Sequence, residues 1–100
     1  MNPFTAQEAY NQIDDYISGQ GGTRRRWYSG VTSDWKNRLF VEHKVPPDHH
    51  WYIACKCASE KEARAVQVAL VGSGCDGGSE ELNSEGVYAY AYLKSSETNP

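Results

Sequence analysis

The sequence has no apolar run near the roughly 20 residues that cross a bilayer, so no membrane span is expected. Its first residues, "MNPFTAQEAY", lack the basic-then-apolar order of a secretory leader, and the expectation is a soluble, cytoplasmic protein. Cysteine is scarce and odd in number. Three thiols cannot form a full disulfide framework and suit a reducing compartment. An excess of positive charge is missing too: the formal net charge is −3, which excludes a globally basic nucleic-acid binder. The charge that is present lies unevenly. Arg24, Arg25, Arg26, Lys36, Arg38 and Lys44 are six of the ten Lys and Arg, whereas Asp76, Glu80, Glu81 and Glu85 gather in the C-terminal half. A local basic face fits this distribution; a long electrostatic track does not.

At 100 residues the chain has room for one core, and no repeat or linker divides it, so residues 1–100 are expected to form a single domain. "FTAQEAYNQIDDYISG" reads as a helix, with Thr5 and Glu8 as a capping box and Gly19 as its stop. Ala6, Ala9, Tyr10, Ile13, Tyr16 and Ile17 give it one apolar face. "TRRRWYSGV" alternates as a strand near 25–31, with Trp27, Ser29 and Val31 on one face and Arg26, Tyr28 and Gly30 on the other. "TSDWKNRLFVEHKV" reads as a second helix that stops before Pro46-Pro47.

"HWYIACKCA" alternates as a strand near 51–57, placing Trp51, Ile53, Cys55 and Cys57 together. "SEKEARAVQVALVGSG" is a third helix, opened by Ser59 and Glu62. "GVYAYAYLK" is a third strand near 86–93, its tyrosines opposite Val87, Ala89, Ala91 and Leu93. Residues 72–85 read as a flexible polar loop and 95–100 as a flexible tail. The expected fold is α+β, a three-stranded antiparallel sheet packed with three helices in the order α-β-α-β-α-β.

"WYSGVTSDWKNRLFVEH" resembles the second motif and following helix of the GIY-YIG nuclease family. Tyr28, Gly30, Thr32, Arg38 and His43 take that pattern's places, with Ser29 where the family has Ile. "HWYIACKCASEKEARAVQVAL" is similar to the family's next strand and helix. The first motif is absent upstream of Tyr28. Gly86-Val87-Tyr88 matches it at the other end of the chain, either as the filling strand of a circularly permuted sheet or as a chance tripeptide in a tyrosine-rich strand.

The resemblance implies a GIY-YIG-like domain acting on DNA or RNA phosphodiesters as a weak or degenerate hydrolase, with Mg²⁺ or Mn²⁺. Arg38 would hold the scissile phosphate, Tyr28 and Tyr88 would handle the water, and His43 would donate or relay a proton. The family's metal-binding Glu aligns with Gln67, which offers oxygen but no charge to a hard cation. The alternative is a non-catalytic nucleic-acid-binding or protein-interaction module on the same fold.

Each candidate also has a plainer role. Arg38 can pair with Glu42 on a helix surface, worth about 0.3–0.5 kcal/mol. Tyr28 and Tyr88 can cover a sheet face, and His43 can be a partly buried polar residue. Arg24, Arg26, Trp27 and Lys36 can contact a nucleic-acid backbone, with Trp27 as a stacking surface; equally, charge can keep an edge strand from pairing. His49, His50, Cys55 and Cys57 invite zinc, but Cys-x-Cys in an alternating strand fits buried reduced thiols better.

Overall fold

The computed structural model describes residues 3–20, 23–46, 48, 51–77, 86–96 and 98. His49 and His50, two of the zinc candidates, and residues 78–85, most of the expected polar loop, lie outside the described residues, as do residues 97, 99 and 100 of the tail. No helix among the described residues is long and apolar enough to cross a membrane.

Helix α1 spans Ala6–Gly19. The Thr5 hydroxyl accepts from the Glu8 N–H, and the Glu8 carboxylate accepts from the Thr5 N–H, which satisfies two otherwise orphaned donors. Ala9, Ile13 and Ile17 recur every four residues and are fully buried. The helix ends differently from expectation: Gly19 is its last residue, and Gln20 closes it with an ordinary negative φ. Helix α2, Glu60–Gly72, begins where the Ser59 hydroxyl accepts from the Glu62 N–H, and it buries Ala63, Val66, Gln67 and Leu70.

The two helices cover one face of an antiparallel sheet of β1 (Trp27–Thr32), β2 (Tyr52–Lys56) and β3 (Tyr88–Leu93). The order is β1-β3-β2, so the last strand in sequence is the central one. This is the expected α+β architecture. Strand alternation sends Trp27, Val31, Cys55, Cys57, Ala89 and Ala91 to the helix side and Tyr28, Tyr90 and Tyr92 to the opposite side, as the period of two requires. Trp51 departs from its expected place. It precedes β2 and is 49% exposed, while Ile53, the first core-facing residue of the strand, packs against the helices.

Each sheet edge is bridged at one place, which shortens the exposed ladder that invites aggregation. Along β1, the Asp76 N–H donates to the Trp27 carbonyl (2.7 Å) and the Ser29 N–H donates to the Asp76 carbonyl (2.9 Å). Along β2, the Phe4 N–H donates to the Lys56 carbonyl and the Ala58 N–H to the Phe4 carbonyl, both at 2.8 Å.

Two local features depart from the sequence reading and position the candidate residues. Arg24–Arg26 form a 3-10 turn instead of the start of a strand, so strand alternation does not apply to them. The segment expected as an α-helix over 32–45 contains a π-helix, Asn37–Glu42. The His43 N–H donates to the Arg38 carbonyl five residues back (2.9 Å), and the Val45 N–H donates to the Leu39 carbonyl (2.9 Å) across Lys44, which takes φ +57°. This wide turn lays Leu39, His43 and Val45, all buried, on the tyrosine face of the sheet.

Candidate functional site

The chemistry-bearing residues fall into two places. The first is the buried layer between the sheet and the π-helix. Tyr90 and Tyr92 stand two apart on β3 and are fully buried. The Tyr90 hydroxyl lies 2.7 Å from His43 Nε2, and the Tyr92 hydroxyl lies 3.1 Å from His43 Nδ1. A neutral imidazole donates from one nitrogen and accepts at the other, so one tyrosine accepts while the other donates. Tyr28 packs on the same imidazole at a centroid distance of 4.9 Å and on Tyr92 at 5.4 Å.

Gly30 makes this layer fit. It sits opposite Tyr90 in the β1–β3 register, and a Cβ there would lie 2.6 Å from Tyr90 Cζ and closer still to its hydroxyl. The sheet therefore brings Tyr28 and His43 together, with Tyr90 and Tyr92 in company that the sequence reading did not single out. Tyr88 shares their face but pairs with Thr32, four residues along β3 from the partner of Tyr28, or about 13 Å at strand rise. His43 and Tyr28 are 5% and 6% exposed, so the imidazole and the phenol face protein.

Arg38 stands beside Glu42. Its Nε lies 3.6 Å from Glu42 Oε2, one turn on, and Asn37 Nδ2 donates to the same carboxylate oxygen at 3.1 Å. Lys36 is exposed, with its ammonium 5.7 Å from the centroid of the Trp35 ring.

Gln67 does not fit the metal-ligand place that the resemblance gives it. Its side chain is fully buried, and Nε2 donates to the Ser29 carbonyl at 3.3 Å. It projects from α2, which packs on the helix face of the sheet, whereas Tyr28 and His43 lie on the other face. The amide closes the β1 edge beside Gly77. Among the described residues no group of three His, Cys, Asp or Glu could hold a metal ion. The cysteines take their plain role, since Cys55, Cys57 and Cys75 are free and buried. Burial pushes the Cys55 thiol up to about 11, with a smaller contribution from neighbouring Cys57, which withholds the thiolate that a metal or electrophile would need.

The second place is a cleft of about 420 Å³ at one end of the β1–β3 pair, lined by Arg25, Arg26, Lys94 and Ser95. Backbone bonds build it. The Arg26 N–H donates to the Thr23 carbonyl (3.0 Å), which closes the 3-10 turn, and the Lys94 N–H donates to the Arg26 carbonyl (2.7 Å), which holds the end of β3 beside it. Arg24 anchors the turn from behind through its ion pair with Asp14 of α1. Lys94 Nζ donates to Asp76 Oδ2 at 3.0 Å. That bond is the main reason the Asp76 carboxyl is held below its ordinary range. Arg25 and Arg26 make no ion pair among the described residues.

The four residues expected to contact a nucleic-acid backbone are thus divided. Arg24 is tied to α1, Trp27 is 1% exposed in the core and offers no stacking surface, Lys36 lies on the helical turn over Trp35, and Arg26 alone lines the cleft. Arg25 and Lys94 were missed. The run of three arginines was the available signal for Arg25; Lys94 is recruited by β3 pairing, which no local motif encodes. No family model matches the chain, and neither does any curated protein or solved structure.

Proposed function

We propose that this chain binds the phosphate backbone of a nucleic acid in the cleft of Arg25, Arg26 and Lys94, without cutting it. The observation that carries the reading is the pair of adjacent guanidinium groups, neither engaged by an acid among the described residues, beside a lysine that shares its charge with one aspartate. Guanidinium forks match phosphate oxygens bidentately, and two in succession suit successive phosphates. The resemblance of residues 27–43 to GIY-YIG nucleases supports a nucleic-acid ligand, because Tyr28, Arg38 and His43 come from the strand and helical turn that carry it.

Two placements favour binding over hydrolysis. Tyr28 and His43 are closed in by the π-helix, and Gln67 is committed to the Ser29 carbonyl across the sheet from them. No step of the proposal passes through Mg²⁺ or Mn²⁺.

Fluorescence anisotropy with a labelled single-stranded oligonucleotide at low salt tests the reading. Arg25→Ala with Arg26→Ala should weaken binding by about tenfold or more, as expected for losing charge-assisted hydrogen bonds. Three cations on single-stranded phosphates should give a log–log salt slope of about −2, from roughly −0.7 per phosphate. Affinity untouched by the double substitution would refute the cleft, and Mg²⁺-dependent cleavage by the wild type would refute the non-catalytic reading.

A further inference from the structure

A second, smaller depression of about 100 Å³ adjoins the cleft and shares Arg26 with it; its other walls are Gln20, Thr23, Trp27 and Leu93. Its polar groups are unspent. The Gln20 backbone N–H donates to the Ile17 carbonyl and the Thr23 carbonyl accepts from Arg26, but neither the Gln20 amide nor the Thr23 hydroxyl makes a hydrogen bond among the described residues. Its apolar lining residues are Leu93, half-buried, and Trp27, buried.

Lining residues that offer an amide, a hydroxyl and an apolar surface, beside a cationic cleft that shares Arg26, are the parts of a nucleotide site. The pit is far smaller than the roughly 300–1,000 Å³ of sites that enclose a whole ligand, so it takes a single ring. Trp27 is 1% exposed and offers no face for stacking, so the ring is gripped from its hydrogen-bonding edge.

Resting on the phosphate-binding reading, we infer that the pit beside Arg26 is a base subsite for a pyrimidine nucleotide of a single strand, whose phosphate lies on Arg25, Arg26 and Lys94. The Gln20 amide both donates and accepts, as does the Thr23 hydroxyl, and a pyrimidine presents donors and acceptors on its Watson–Crick edge. In a duplex that edge is occupied by the partner base, so the subsite selects unpaired strands.

The test compares oligothymidine, oligoadenine and an abasic oligomer of equal length, each bound by the wild type, Gln20→Ala and Arg25→Ala/Arg26→Ala. Oligothymidine should bind the wild type about two- to tenfold more tightly than the abasic oligomer, the range of one neutral hydrogen bond. Gln20→Ala should erase that preference and leave abasic binding unchanged. Because Gln20 lies at the end of α1 and its side chain makes no hydrogen bond among the described residues, the variant should fold normally, which circular dichroism checks.

Equal binding of thymidine and abasic oligomers, with both weakened by the arginine substitutions, would overturn the base subsite and leave the phosphate cleft standing. Oligoadenine bound as tightly as oligothymidine would overturn the single-ring limit. Failure of every oligomer to bind would overturn the cleft and the subsite together.

Discussion

The tyrosine face of the sheet and the end of the β1–β3 pair use their polar side chains in opposite ways. Between the sheet and the π-helix, His43, Tyr28, Tyr90 and Tyr92 spend their hydrogen-bonding and ring surfaces on one another under nearly complete burial. At the strand ends, Arg25 and Arg26 spend nothing internally among the described residues, and Lys94 gives part of its charge to Asp76. Tyr28 and His43, which look catalytic in sequence, are here engaged by the layer around them. A buried polar network fixes one packing when each member has a partner, whereas cations without internal partners are available to a ligand. Internal satisfaction therefore separates the structural layer from the binding surface better than residue type does.

The strongest way to break that contrast is Gln67→Glu. If the family's metal place were usable, the change would be tolerated and would recruit Mn²⁺. The structure argues otherwise: a carboxylate there would be fully buried against the Ser29 carbonyl, an acceptor like itself. The expected loss is about 3–5 kcal/mol at pH 7, as for an uncompensated buried charge. The sign of its pH dependence follows from burial. The folded state favours the protonated carboxyl, which can still donate to Ser29, so the new group's folded pKa lies above the unfolded value of about 4.3. The penalty should be small near pH 4 and grow as pH rises above that value. Urea denaturation at the two pH values measures this, and calorimetry with Mn²⁺ measures metal uptake. A variant as stable as the wild type that binds Mn²⁺ would restore the metal-site reading.

A smaller effect should come from Gly30→Ala. The new methyl would collide with the Tyr90 ring and hydroxyl, pushing that hydroxyl off His43. Overpacking of this kind costs about 1–3 kcal/mol. Oligonucleotide affinity at a temperature well below the unfolding midpoint should not change, because the cleft lies elsewhere. Lost binding in a folded variant would show that the tyrosine layer belongs to the site.

Much of the fold could be read from the sequence because its periods are clean. Thr5 with Glu8 marked the start of α1, and the alternation of Trp27, Ser29 and Val31 against Tyr28 and Gly30 gave the faces of β1. The strand order could not be read, since the central place of β3 depends on long-range pairing. The 3-10 turn was hidden because three arginines have no apolar periodicity, so their faces could not be assigned. The π-helix was hidden because Leu39 and His43, four apart, suit an α-helix equally well. The surroundings of Gln67 were hidden for a related reason. Its helix position was visible, but not the Ser29 carbonyl that its amide would meet at the edge of β1. Tyr90 and Tyr92 looked like repeats of Tyr88, and only the register against Gly30 and Tyr28 sets them apart.

The gentlest probe acts on Asp76, which among the described residues pairs with the lysine of the cleft. Asp76 accepts from Lys94 at 3.0 Å through Oδ2 and from its neighbour Gly77 through Oδ1. Asp76→Asn keeps the shape and the capacity to accept while removing the charge, so Lys94 is released toward a phosphate. Affinity for a single-stranded oligonucleotide should rise by about two- to fivefold, the scale of an exposed ion pair. Stability should move the other way. The Asp76 carboxyl is held below its ordinary range when folded, chiefly by Lys94, so its contribution is present above the unfolded pKa and is lost as pH falls through the folded one. The variant should therefore be slightly less stable than the wild type at pH 7, by no more than about 1 kcal/mol. It should match the wild type once both are measured in acid below the folded pKa. Opposite signs for affinity and stability at pH 7 would place Lys94 at the boundary between the two regions, serving the fold through Asp76 and the ligand without it. If Asp76→Asn left affinity unchanged while Arg25→Ala/Arg26→Ala weakened it, Lys94 would belong to the structural side alone and the cleft would rest on its two arginines.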